Sequence, residues 1–558
     1  MKNPQSLEDQ AERIGSSGES SNKEQTTLPV PSDFPSHEQY LRGWRVYGTN
    51  ISLSIAIFLS SLDLAIVTTA LVPIANSFHS FEQGSWIVNS YMLTYTGFLV
   101  ILSKLSDVFG RKSILAITFT IFIVFSAGCG ASQTATQLIV LRAFQGIGGA
   151  GMYSVTYIIL FEVAPPEKYA MYTAMVTSMV TLAVVCGVVL GGAISSAGAW
   201  RWIFWVNIPV GCIALAILLV SLPNGFPHYS LAKQSQQKHA IRLRFPSTEA
   251  FKRVDYVGTA CLLCASVFLV AALEEAAAGR PWKSALIISF LCLSGIFWPT
   301  FFLFERKLTR ASKSREPIFP WRLATSRQTV GLFMSMLLVG GQYTVCLVAL
   351  AQRYQTLHSM SPLQASLRVL PFGLASPFAG TIAAGVSKKR QIPPIYFCLA
   401  GSLLQIVGMT LMATSVASPS VFGGFYGFQV VSGVGVGFNL ILLTLMTPLA
   451  VEEQDKATAL GSVLQSRNLG GALCVAITAT IFNNYVRTHL GDILTQQALE
   501  AVLRSSQSIT LLPVDIQDTV KQTFGKGSNL QFMVLVGFAA AQVPTNLLMW
   551  RQEQIRVK

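Results

Sequence analysis

Few residues in this 558-residue chain combine charge with an apolar setting, and those few bound its chemistry. Asp63, in L-D-L-A-I-V-T-T-A-L, lies well inside an apolar run with no cation within a helical turn. An ionised carboxylate in a bilayer costs several kcal/mol, so it must face a protein interior or a water-filled cavity. Two readings follow: a proton-coupling or cation-sensing group, or an acid that only fixes packing. Arg142 belongs with Gln145 and a glycine-rich face in L-R-A-F-Q-G-I-G-G-A-G, and is placed here near the cytoplasmic half of a fourth membrane span. An arginine at that depth needs a carboxylate, a carbonyl or water as partner. Either it moves protons with Asp63 or it snorkels to the interface. Arg467, beside Gln465 and Asn468, raises the same question.

A second group of residues suits movement. Residues 103–112, S-K-L-S-D-V-F-G-R-K, form a charged interruption between two apolar runs. Here Asp107, before the third span, could meet a helix N-terminus across a bundle interface, with Arg111 and Lys112 at the lipid headgroups and Gly110 at the turn. Such a contact would gate the cytoplasmic side; the alternative is a solvated loop that obeys the orientation rule. Small residues at fourfold spacing allow close helix approach. Gly187, Gly191 and Gly192 supply it in the fifth span. Gly423 with Gly427 and Gly433 with Gly437 supply it in the twelfth, and Gly146, Gly470 and Gly471 elsewhere.

The elements that must carry these residues follow from composition. With 51% hydrophobic and 12% charged residues, the chain holds more apolar surface than a soluble fold hides. The net charge of +14 sits in short polar gaps, which argues for membrane orientation and against nucleic acid. All nine cysteines lie in or beside apolar runs, so neither a disulfide framework nor a metal site is expected. Runs of roughly 20 apolar residues number about fourteen. Lys and Arg concentrate in alternate gaps, which places both termini in the cytoplasm. The expected organisation is a disordered tail over 1–45, a six-helix bundle over 46–221, cytoplasmic loops with two inserted helices over 222–328, a second bundle over 329–550 with an extracellular loop at about 485–528, and a tail over 551–558. A weak repeat supports the two bundles: residues 142–151 lie over 429–438, matching Gly146 with Gly433 and Gly148 with Gly435 and putting Gln429 where Arg142 sits.

Several stretches together resemble the major facilitator superfamily, and within it the fungal fourteen-span drug:proton antiporters. They are residues 103–112 (family pattern G-x-L-x-D-x-x-G-R-K/R), the Asp63 and Arg142 runs, and W-R-W-I-F-W-V-N-I-P-V-G from Trp200, with Asn207 and Pro209. The resemblance implies an all-α membrane protein of major facilitator fold, two six-helix bundles plus two inserted helices. It further implies proton-driven export of small amphipathic toxins, drugs or secondary metabolites by alternating access. A gating role falls to Asp107, Gly110 and Arg111, and a proton-relay role to Arg142. The chain departs from the family at Ser103, where the pattern has glycine, at Ala65, where a threonine is usual, and at Val188, where the fifth-span pattern G-P-x-x-G-G has proline. The last removes a weak point from the helix ladder.

Candidates to line a substrate cavity are Trp86, Asn89, Tyr91, Gln145, Tyr153, Gln342, Tyr343, Gln429, Asn439 and Arg467, the alternative for several being to fill gaps between helices. The expected partners are a small-molecule substrate, protons and the lipid bilayer, with no cofactor and no nucleic acid. The protein is expected as a monomer of the plasma membrane, with the vacuolar membrane as the alternative. Competing functions are transport of iron chelates or basic amino acids, and a transport-inactive membrane sensor. An enzyme is disfavoured, since the aqueous segments show no nucleophile–base pair, phosphate loop or ligand cluster.

Overall fold

The computed structural model describes residues 43–78, 84–224, 226, 254–311, 316–416, 422–504, 508–509 and 512–556. The tail before residue 43, most of the loop at 225–253 and the side chain of Val188 lie outside the described residues. In hydrocarbon every backbone polar group must be satisfied within the chain, and helices do this locally. Eighteen α-helices are described: α1 Trp44–Thr69, α2 Leu71–Ser77, α3 Gly84–Phe109, α4 Arg111–Ala131, α5 Ala135–Val163, α6 Tyr169–Ser196, α7 Trp202–Trp205, α8 Asn207–Ser221 and α9 Tyr256–Ala277. They continue as α10 Ala285–Ala311, α11 Trp321–Thr325, α12 Arg327–Thr356, α13 Pro362–Arg390, α14 Pro394–Ala413, α15 Gly424–Ala450, α16 Lys456–Leu490, α17 Gln496–Arg504 and α18 Val514–Leu548. Among the described residues, fourteen spans are long and apolar enough to cross a membrane, with α7 and α8 forming one of them.

Local chemistry sets several helix starts. The side chains of Thr134, Asp255 and Ser361 accept from the backbone N–H groups of Gln137, Gly258 and Gln364, capping α5, α9 and α13. Between α7 and α8, Val206 stays in the helical region, and Pro209 falls in the first turn of α8, where its missing N–H costs nothing. This delivers Asn207 to the interior as the first residue of a helix.

One half is built on α5, which packs against α3 and α4, while α1 packs against α6 and α8. The other half is built on α15, which packs against α13 and α14, with α12 against α16 and α18. The halves meet along α3 with α16 and along α6 with α13, and the inserted α9 covers the seam by touching both α3 and α16.

The sequence repeat is also a packing repeat. A Cβ at Gly146 would stand 2.5 Å from the Tyr91 carbonyl on α3, and one at Gly433 would stand 2.6 Å from the Phe372 carbonyl on α13. Gly148 faces the Phe122 backbone on α4, and Gly435 faces the Gly401 carbonyl on α14. Each glycine thus opens the same helix pair in its own half. Gly437 lies against Ser376, Gly470 against the Leu337 carbonyl and Gly471 against Thr344. Gly187 packs against Ala65, and Gly191 is buried. One departure from the family pattern, Ala65, therefore lies at an α1–α6 contact.

Other expectations change. Gly192 is exposed, and open space surrounds the points where a Cβ would sit at Gly192, Gly423 and Gly427, so spacing alone misassigned these three to packing. Residues 103–112 are not a loop, because α3 runs to Phe109 and α4 restarts at Arg111. Gly110 alone makes the turn, at φ +92°, a region that side chains avoid. Within 485–528 the chain is mostly helical. Helices α16 and α18, each 35 residues, reach about 50 Å, past a hydrocarbon core of about 30 Å. Their projecting ends pack with α17 around Phe482, Leu499, Val502 and Phe524.

Replacing Gly437 with valine should cost about 1–3 kcal/mol or more, since the opposing atoms are backbone. Gly192→Ala should stay within about 0.5 kcal/mol. Thermal unfolding of the two variants in detergent, read side by side, checks both.

Candidate functional site

Asp63 on α1 and Arg142 on α5 form an ion pair with both side chains fully buried. The guanidinium Nη1 donates to Asp63 Oδ2 and also to Gln145 Oε1 at 2.9 Å, and Nε donates to the Ile87 carbonyl at 3.2 Å. Gln145 Nε2 and Asn207 Nδ2 donate to Asp63 Oδ1 at 2.9 and 3.0 Å. Gln145 is itself steadied by Ser126 Oγ at 2.8 Å. Helices α5 and α8 thereby converge on one α1 carboxylate, and every donor to it is an N–H, fitting a group that can only accept. Arg142 also lies 4.3 Å from the Tyr91 ring centroid and 5.8 Å from that of Phe204, so aromatic faces cover the cation. Arg142 Nη2 and Asn207 Oδ1 are buried without hydrogen-bond partners.

The depth of this pair differs from expectation. Arg142 falls in the second turn of α5 and Asp63 near the last turns of α1. Because α1 and α5 run in opposite senses, both residues lie toward the end away from Gly110, so a cytoplasmic turn at Gly110 and an Arg142 in the cytoplasmic half do not hold together. The two residues are paired, and Arg142 does not snorkel.

A second arginine is reached through tyrosines. Tyr91 stacks on Tyr95 with centroids 5.6 Å apart, Tyr95 lies 6.0 Å from Tyr153, and Tyr153 lies 5.1 Å from Tyr157. Arg467 on α16 then donates to the Tyr153 hydroxyl at 3.0 Å and stands 5.3 Å from the Tyr343 ring. The ladder runs from Arg142 in one half to Arg467 and Tyr343 in the other. Tyr95, Tyr157 and Ser126 were not singled out from sequence, although Tyr91 with Tyr95 and Tyr153 with Tyr157 recur at i, i+4 on α3 and α5, one helix face each.

The remaining cavity candidates divide. Gln342 bonds Gln542 at 3.1 Å, joining α12 to α18, and Asn439 bonds the Cys398 carbonyl and Asn546, joining α15 to α14 and α18. These two hold one half together. Trp86 packs toward the inserted α9, and Asn89 is buried. Gln429 donates to the Tyr354 hydroxyl at 2.6 Å. Where the repeat puts Arg142 in the first half, the second half thus has a neutral donor in a neutral bond. A crevice of about 620 Å³ at the projecting ends of α12 and α16 involves Arg280, Asn483 and Gln531 and none of the nominated residues.

At the Gly110 end, Arg111 is buried rather than at the headgroups. It pairs with Asp107 and Glu162, and donates to Ser106 Oγ at 2.7 Å. These contacts stay inside one half, so Asp107 does not reach across the seam in this conformation. The crossing is made by Ser103, which faces Gly461 closely, and by Lys388, whose ammonium donates to the Glu167 carbonyl at 2.8 Å. Ser103 thus stands in for glycine because the opposing residue is itself a glycine. Nearby, Arg322 bridges Glu452 and Asp455, and its hydrogen bonds to the Asp455 carboxylate raise its already high proton affinity.

The family model of the Major Facilitator Superfamily matches residues 53–475. The MFS-type transporter FPY5 of Fusarium mangiferae is 37% identical over 510 residues, 91% of this chain and 84% of that protein. The efflux pump FUS6 of Gibberella fujikuroi is 27% identical, over 85% of this chain and 81% of its own length. Multidrug resistance protein 3 of Bacillus subtilis is also 27% identical, over 79% and 80%. Among solved structures, an inward-facing, unoccupied bacterial homolog of the human lysosomal transporter Spinster aligns with a TM-score of 0.55 at 15% identity, covering 92% of this chain and 100% of that one.

Removing one partner of a buried ion pair strands the other charge, at about 3–5 kcal/mol. Arg142→Gln should therefore lower the unfolding temperature sharply, and Asp63→Asn with Arg142→Gln should recover much of the loss. A double-mutant cycle in detergent measures the coupling.

Proposed function

Since the chain belongs to the major facilitator superfamily and is a transporter rather than an enzyme, we propose that it is a proton-coupled exporter of small amphipathic molecules. The observation that carries this reading is a fully buried acid closed by an arginine, with a tyrosine ladder leading from that arginine to the seam between the halves. Efflux names among the relatives support the direction of transport.

Asp63 is the proton site. A proton on Oδ2 removes the negative charge that holds Arg142 and turns an acceptor into a donor. Arg142 keeps its bonds to Gln145 and the Ile87 carbonyl, and its unfilled Nη2 is free to take a new partner. Its guanidinium lies on Tyr91, so its shift moves the ladder and, through Tyr153, the contact with Arg467 across the seam. Asp63 lies toward the end away from Gly110, so the proton enters from that side. Release occurs when the Gly110 end opens by parting Ser103 from Gly461 and Lys388 from Glu167. Asp107 and Arg111 hold that end of the first half together and, with Gly110, act in gating. The bundles span 46–221 and 329–550, with 222–328 inserted between them. The protein works as a monomer in the plasma membrane, with both termini cytoplasmic.

In proteoliposomes, Asp63→Asn should reduce dye movement driven by a pH gradient to background while inserting normally, with wild-type protein and a collapsed gradient as controls. Undiminished gradient-driven transport by the variant removes Asp63 from coupling.

A further inference from the structure

The charges along the seam do not balance. Asp63 and Arg142 cancel, and Arg111 is answered by Asp107 and Glu162. Arg467 has no such answer. Among the described residues its polar contact is the Tyr153 hydroxyl, its nearest ring is Tyr343, and Tyr95 and Tyr157 complete its surroundings. No carboxylate belongs to this group. Phenols and π faces temper a cation, yet they do not neutralise it. Arg467 is half-buried, whereas Arg142 is fully buried. Close backbone contacts also fix its position: Gly340 on α12 abuts the Arg467 backbone, and Gly470 abuts Leu337. A fixed, uncompensated cation with aromatic walls on both sides of the seam is suited to a flat apolar body that carries an acid.

We infer that the transported molecules are organic acids, and that Arg467 binds their anionic group while Tyr95, Tyr153, Tyr157 and Tyr343 flank the apolar body. The inference rests on the reading of the seam as the transport path. It gives the two arginines separate tasks, since Arg142 answers an acid of the protein and Arg467 an acid of the cargo. A permanent cation meets the wrong sign there, and a neutral amide gains only the aromatic walls.

The test uses three probes of one shape: 2-naphthalenesulfonate, naphthalene-2-sulfonamide and trimethyl(naphthylmethyl)ammonium. Their binding to the purified full chain in detergent is read by isothermal calorimetry, with Arg467→Lys and Arg467→Gln in parallel. The expected result is wild-type binding at least tenfold tighter for the sulfonate than for the sulfonamide, with the ammonium weakest. Arg467→Gln should erase that preference, and Arg467→Lys should keep part of it. The lysine variant serves as the folding control. A wild type that prefers the sulfonamide or the ammonium, or that binds none of the three, overturns the inference, as does a preference that survives Arg467→Gln. Export is measured separately in proteoliposomes. Acid-selective binding without gradient-driven movement would sink the exporter reading alone, and movement without acid selectivity would sink this one alone.

Discussion

The ion pair between Asp63 and Arg142 is closed off from solvent, and the first half of the molecule is arranged to make that tolerable. Burying two charges costs several kcal/mol per ion unless hydrogen bonds fill the remaining lone pairs and protons. Here α3 contributes a carbonyl and an aromatic face, α4 contributes Ser126, α5 contributes Gln145, and α8 contributes Asn207. The location of Asn207 explains why the sixth span is built as a short helix followed at once by another. The side chain that finishes the acid's shell needs to begin a helix at that depth.

Close approach of helices is the second constraint, and it serves the first. Arg142 reaches Tyr91 because α5 lies against α3 at Gly146, where any side chain would strike the Tyr91 carbonyl. Likewise Arg467 stays at the seam because Gly340 and Gly470 let α12 and α16 touch along their backbones. Polar function in the interior thus depends on residues that carry no side chain at all, in keeping with how membrane helices associate.

Much of this was legible in the sequence. Span number followed from hydropathy, and the fold followed from motif resemblance, because both depend on local composition. Asp63 and Arg142 stood out as charges in apolar runs. What pairs them was hidden, since residues 79 positions apart share no local pattern, and the end at which Arg142 lies depends on the direction of its span, which no local pattern encodes. Small-residue spacing succeeded at Gly187, Gly433 and Gly437 and failed at Gly192, Gly423 and Gly427, because spacing says which residues could permit contact and not which face meets a partner. The tyrosine ladder was half visible. Tyr91, Tyr153 and Tyr343 were nominated singly as cavity liners, but their connection needs three helices and both halves. The gating expectation for Asp107 came from a motif, and the motif does not specify that its arginine turns inward to Glu162.

The bond between Gln429 and Tyr354 has a consequence for how energy passes through the molecule. Gln429 sits in the second half where the repeat puts Arg142 of the first, and neither it nor Tyr354 carries a formal charge. The two halves share one pattern of helix packing yet differ in the charge held at this point. On the exporter reading, chemical work is admitted through one half only. The other half must then follow mechanically, pulled through α16 against α3 and α13 against α6, so the protein is a symmetric body with an asymmetric motor.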